Sequence, residues 1–155
     1  MKSPGREPPF LRAIDKRAFE TYQWKGRGAV ALVTNELGEF LLNLRDDKPE
    51  IPHPNLWSLL GGGCEDDEDP LQTVLREVYE EAELTAEKAD PLCRVVDIEG
   101  SQGLITVFRI ATTARLTDLQ LHEGQELRFF SLRQTYEIPV VLLVRDILNQ
   151  FSKPI

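Results

Sequence analysis

The sequence predicts a single domain in which helices pack on a mixed sheet, either as an α+β fold or as a layered α/β/α sandwich. Three observations predict it. Short apolar runs bounded by turn signals recur between residues 27 and 132. A sharply started amphipathic pattern fills residues 70–82. A second helical pattern closes the chain over residues 138–151.

The first run is RGAVALVT (27–34), rich in Val and Ala as a buried strand is. NELG (35–38) reads as a turn and EFLLNLR (39–45) as the next strand. DDKPEIPHPNL (46–56) carries three prolines and reads as a loop. WSLL (57–60) is a short apolar segment running into Gly61, Gly62 and Gly63. Asp69 is placed to cap a helix whose first position, Pro70, needs no N–H. Leu71, Val74, Leu75, Val78 and Ala82 give that helix one apolar face. LCRVVDI (92–98) and LITVFRIA (104–111) read as strands joined by a turn, and LRFFSL (127–132) as another. In IPVVLLVRDILNQF (138–151) Pro139 suits the first helical turn. Upstream, residues 1–9 read as a loose tail and 10–22 as a short helix or irregular arm. The expected organisation is therefore an arm over 1–26 and a domain over 27–155.

Composition narrows the function. With 155 residues, 41% hydrophobic and 28% charged, the chain can bury one core. It holds no membrane-length apolar stretch and no apolar run near its start, so a cytoplasmic protein is expected. Cys64 and Cys93 form no metal-ligand spacing; two reduced thiols are expected, with a lone disulfide as the alternative. A net charge of −8 argues against a nucleic-acid backbone as partner. The acid is concentrated in EDDED (65–69) and EVYEEAE (77–83). A protein built this way meets anionic phosphates only with a divalent cation between them.

Glu77, Glu80 and Glu81 stand at i, i+3 and i+4 of the predicted helix, which gathers three carboxylates on one patch. They repel one another and oppose the helix macrodipole at its C-terminal end. An acidic helix face alone is usually a solvated surface. Here a glycine triplet precedes the helix, Glu68 lies just before it, and Arg76 stands beside Glu77 where it can orient carboxylates. Oxygen-only clusters suit hard cations such as Mg²⁺ or Mn²⁺.

From Gly62 to Leu84 the chain resembles the Nudix signature, G-x5-E-x7-R-E-U-x-E-E-x-G-U with U aliphatic. Gly62, Glu68, Arg76, Glu77, Val78, Glu80, Glu81 and Leu84 match; Glu83 stands where the pattern has glycine. The resemblance implies a Nudix-type α/β/α sandwich with a mixed sheet, and a Mg²⁺-dependent hydrolase (Mn²⁺ as the alternative) of MutT type. It implies that Glu77, Glu80 and Glu81 bind metal, that Gly61 adds its carbonyl, that Arg76 holds the cluster, and that Glu68 supports the junction behind it. HEGQE (122–126) resembles a MutT-type segment that brings a further carboxylate, Glu123 before Glu126. Glu80 and Glu123 are alternative general bases. At Glu83 either the left-handed cap is kept, at a cost of about 1 kcal/mol, or the helix runs on.

The substrate implied is a nucleotide-type small molecule. A nucleoside triphosphate, oxidised forms included, leads, with ADP-ribose, a nucleotide sugar or a dinucleoside polyphosphate as alternatives. A catalytically silent nucleotide-binding module and a plain acidic helix are the readings from other classes. Arg45 is a candidate phosphate contact and Trp57, Trp24, Phe10, Tyr22 and Phe129 are candidate stacking aromatics; Arg45, Trp57 and Gly62 are the candidate substrate-binding residues. Asp46, Lys48, His53 and Asn55 are candidates for its entrance, and residues 10–24 have apolar surface enough to permit a homodimer.

Overall fold

The computed structural model describes residues 7–152. Of the expected tail over 1–9, residues 1–6 lie outside the described residues, as do 153–155 of the expected domain.

The apolar run after Arg27 becomes β1 (Arg27–Thr34), and it is the spine of the molecule. It pairs in parallel with β6 (Leu104–Ala111), which pairs antiparallel with β5 (Asp90–Val96). On its other side β1 pairs antiparallel with β4 (Leu60–Gly63) and, at Thr34 and Phe40 only, with β2 (Phe40–Leu44). β2 in turn pairs with the two-residue β3 (Trp57–Ser58) and with β7 (Glu126–Phe130). Among the described residues all seven strands form one mixed sheet.

Alternation along β1 divides the core into two layers. Ala29, Ala31 and Val33 face α2 (Pro70–Ala82), where Val74, Val78 and Ala82 are fully buried. Val30 and Leu32 face the opposite layer, where α4 (Leu142–Phe151) contributes Val144, Ile147 and Leu148. A strand covered on both faces reads as a continuous apolar run, as RGAVALVT does. The fold is thus the α/β/α sandwich with a mixed sheet. Both cysteines are free. No helix among the described residues is long and apolar enough to cross a membrane.

Several boundaries differ from expectation, each for a local reason. The C-terminal helix begins at Leu142, not at Pro139. Trp57 N–H donates to Pro139 O at 2.9 Å and Val141 N–H donates to Trp57 O at 3.0 Å, so residues 139–141 run extended beside β3. Ile138 precedes a proline, which disfavours helix, and the edge of β3 needs partners. β7 stops at Phe130 because Ser131 caps a short helix, α3 (Leu132–Thr135), through Gln134 N–H. The glycine triplet lies in β4 against β1. At Gly61, φ is +153° and a Cβ would overlap Ala29 O and Val30 Cα.

The arm forms α1 (Ala13–Thr21) and is stitched to the sheet edge. Arg94 N–H donates to Pro9 O at 2.8 Å, and Leu11 N–H to Arg94 O at 3.0 Å. Asp15 is completely buried. It accepts from Val96 N–H at 2.9 Å and from the Arg12 side chain at 2.6 and 2.7 Å. Replacing Asp15 by Ala leaves the Val96 N–H without its acceptor and the Arg12 guanidinium with Asp146 alone. Urea unfolding is expected to register a loss of about 3 kcal/mol. A loss below about 1 kcal/mol would contradict the clamp.

Candidate active site

The site begins with the start of α2. Asp69 Oδ1 accepts Gln72 N–H at 2.8 Å and Gln72 Oε1 accepts Asp69 N–H at 2.9 Å, a reciprocal capping box. The helix so fixed carries Arg76 at its middle. Arg76 Nε and Nη2 donate to the two oxygens of Glu68 at 2.6 and 2.8 Å. Nη1 donates to Glu77 at 2.9 Å and Glu80 at 3.0 Å, and Nη2 to Gly63 O at 3.2 Å. One guanidinium thus joins the loop before the helix, the glycine strand and two helix carboxylates. Arg76 holds the Glu68 carboxyl down to about 2, with help from Glu65 N–H. Those same partners raise Arg76 itself.

Of the expected ligands, Glu77, Glu81 and Glu123 come together, each offering an oxygen within 4.8 Å of the others. Glu80 stands outside that group, 56% exposed and turned to Arg76. Glu126 forms its ion pair with Arg128. Glu81 is buried and accepts Gly61 N–H at 3.2 Å, so Gly61 enters the site through its N–H. Gly62 leaves the space that Glu77 fills: a Cβ there would lie 2.6 Å from the Glu77 carboxylate. Burial first, then the charges of Glu123 and Glu77, push the Glu81 carboxyl up to about 9. A buried carboxylate facing two others, all oxygen donors, is the donor set of a hard divalent cation.

Glu123 arrives from the segment between β6 and β7. Buried Asn43, in the middle of β2, donates through Nδ2 to Glu123 O at 2.7 Å. Gly124 at φ +90° lets the chain turn against that amide; a Cβ there would sit 2.6 Å from it. Asn43 escaped the sequence reading, although a lone amide inside FLLNL was a visible signal. Glu83 keeps the left-handed conformation of the signature glycine, at φ 53° and ψ 33°.

Across the glycine strand from the carboxylates, none of which lines it, lies a cleft of about 280 Å³ bounded by that strand and α4. Lys25, Arg27 and Arg45 line it with positive charge. Arg45 Nε donates to Pro52 O at 2.8 Å, and Arg27 Nη2 to Glu68 O at 3.1 Å. His53 also lines it and meets Asp97 at 3.0 Å. Burial raises the Asp97 carboxyl, but hydrogen bonds from His53 and Ser101 outweigh this and hold it low. Asp97 too was missed, for nothing in VVDIEG sets it apart.

Among the described residues, none of the five candidate aromatics lines this cleft; its walls are aliphatic, among them Val30, Val95 and Ile105. Trp57 is in the core, edge-on to Phe130 at 4.8 Å, because the β3 edge turns it inward. Phe10 and Trp24 pack on Phe19, Tyr22 is exposed, and Phe129 lies against the α2 layer. Asn55 binds Gln125 and Asp46 faces Lys48, away from the cleft lining.

The NUDIX domain family model matches residues 24–151, the whole of the sandwich after the arm. The chain belongs to the Nudix family. The expectation of a pyrophosphohydrolase of this family stands with that match. Solved structures share the fold. A MutT protein from Methanosarcina mazei is 23% identical with TM-score 0.66, and 96% of each chain is covered. The NUDIX domain of Shewanella oneidensis NrtR, complexed with ADP ribose, is 18% identical with TM-score 0.68, covering 87% of this chain and 94% of that one. A C. elegans Ap4A hydrolase is 22% identical with TM-score 0.62, covering 81% and 95%. No curated protein sequence matches.

Two outcomes follow from the Nudix site. A carboxyl raised on folding binds its proton more tightly in the folded chain. Its stabilisation is complete below pH 4.5 and fades as pH climbs toward about 9. Metal-free protein is therefore expected to lose thermal stability across that range, and Glu81→Gln to flatten the loss; an unchanged slope would contradict the assignment. Asn43→Ala orphans the Glu123 carbonyl and is expected to cost about 1–3 kcal/mol. Calorimetry should then read a melting point lower by several degrees.

Proposed function

We propose that this Nudix protein hydrolyses the diphosphate linkage of a nucleoside triphosphate-type substrate, giving a nucleoside monophosphate and pyrophosphate. The observation that carries the reading is the meeting of Glu77, Glu81 and Glu123 across the glycine strand from a cleft lined by Lys25, Arg27 and Arg45. Acid and base are segregated there: carboxylates for a cation on one side, cations for phosphate oxygens on the other. Glu77, Glu81 and Glu123 would hold Mg²⁺ or Mn²⁺. When bound, such an ion neutralises phosphate charge and lowers the pKa of water.

The remaining roles fall to the chain itself. Arg76 orients Glu77 and keeps Glu68 ionised behind it. Glu80, exposed at the rim, takes the proton from the attacking water as general base. Arg45 and Arg27 bind the non-reacting phosphates, and the aliphatic walls receive the base or sugar. One observation favours a second reading, a nucleotide sugar such as ADP-ribose: ionised Asp97, in the same cleft, accepts hydrogen bonds as a vicinal diol would offer them. A silent binding module is disfavoured because every signature carboxylate is present.

A panel of nucleoside triphosphates, nucleotide sugars and dinucleoside polyphosphates with Mg²⁺, read by product analysis, tests the reading. Pyrophosphate and monophosphate from a triphosphate are expected; turnover of none of them would refute it. Glu77→Gln is expected to lose both Mn²⁺ affinity and turnover. Glu80→Gln is expected to lower kcat by about a hundredfold while binding Mn²⁺ nearly as before. Equal loss of Mn²⁺ in both variants would make Glu80 a ligand instead.

A further inference from the structure

We propose that Glu83 and His122 form a latch that positions Glu123 for the cation; the proposal rests on the metal-site reading above. The segment carrying Glu123 docks on the C-terminal end of α2. Gln120 N–H donates to Ala82 O at 3.0 Å and His122 N–H to Glu81 O at 2.9 Å. These are carbonyls that a helix end leaves without intrahelical partners. The helix closes with Glu83 N–H on Tyr79 O at 2.8 Å and Leu84 N–H on Val78 O at 3.2 Å.

Glu83 occupies that closing turn at φ 53°, where any side chain is strained and glycine is not. Glycine is what the family signature has there. The glutamate brings one thing glycine cannot: its Oε2 lies 2.6 Å from His122 Nε2. An ionised carboxylate only accepts, so the imidazole N–H donates. His122 is thereby held by its backbone to Glu81 and by its ring to Glu83. The next residue is Glu123, whose exposed carboxylate meets Glu77 and Glu81. Asn43 holds the same residue from the far side through its carbonyl. Glu83 and His122 are positioning residues: they act on the metal site through Glu123.

Calorimetric titration with Mn²⁺ alone, without nucleotide, tests the latch. Glu83→Gly and His122→Ala are each expected to weaken Mn²⁺ binding by about tenfold, as partners of metal ligands do. The double variant should weaken it no further than either single one. Glu83→Gln deletes the charge but keeps an acceptor, and should bind within about twofold of the parent. In a Glu123→Gln background, Glu83→Gly should add nothing. Thermal unfolding without metal checks that each variant folds, and glycine suits this turn. If Glu83→Gln loses as much as Glu83→Gly, the residue acts by charge and the latch is wrong. If Glu83→Gly binds Mn²⁺ like the parent, the latch fails while the metal site stands. If the parent itself binds no Mn²⁺, the metal-site reading fails and takes the latch with it.

Discussion

The structure is organised around a repulsion. Glu77 and Glu81 lie on the same side of α2, and Glu123 is carried to them from another element. On an exposed helix such a pair would cost only a few tenths of a kcal/mol. Burying Val74 and Val78 contributes about 1.5–3 kcal/mol each, so α2 forms regardless. The conflict is sharper at Glu81, which is itself buried. There the carboxylate form is disfavoured by desolvation and by its neighbours, and either a proton or a cation must relieve it.

Much of the surrounding structure answers that demand. Arg76 gathers Glu68, Glu77 and Glu80 and ties them to Gly63 O. Gly62 leaves room for Glu77, and Gly61 lets β4 run tight against β1 while its N–H reaches Glu81. Asn43 reaches from β2 to hold the loop of Glu123. Each device comes from a different segment, and the sandwich brings them to one end of the sheet. In the proposed function the cationic lining of the cleft across the glycine strand would give a phosphate chain its second anchor.

The parts legible in the sequence were those whose signal is local. Asp69-Pro70 and the apolar spacing fixed α2 almost to the residue, and the run RGAVALVT marked the doubly covered strand. Glu77 and Glu81 were legible because i, i+4 neighbours share a face, and Arg76 because it stands beside Glu77 and four residues before Glu80. What depended on pairing between distant segments was not legible. The extended course of residues 139–141 follows from the vacant edge at Trp57, and that edge exists only once β3 has formed. Trp57 turned into the core for the same reason, so an aromatic that looked available for stacking is not. Asn43 and Asp97 are single polar residues in apolar runs, and only the fold tells a cleft or loop anchor from a solvated side chain.

One divalent cation held by Glu77, Glu81 and Glu123 would resolve the repulsion. Crystals grown with Mn²⁺ and measured at an energy where manganese scatters anomalously would test it most directly. One strong anomalous peak bounded by carboxylate oxygens of Glu77, Glu81 and Glu123 is expected. A map with no peak there, or with the ion seated instead between Glu80 and Glu68, would contradict it.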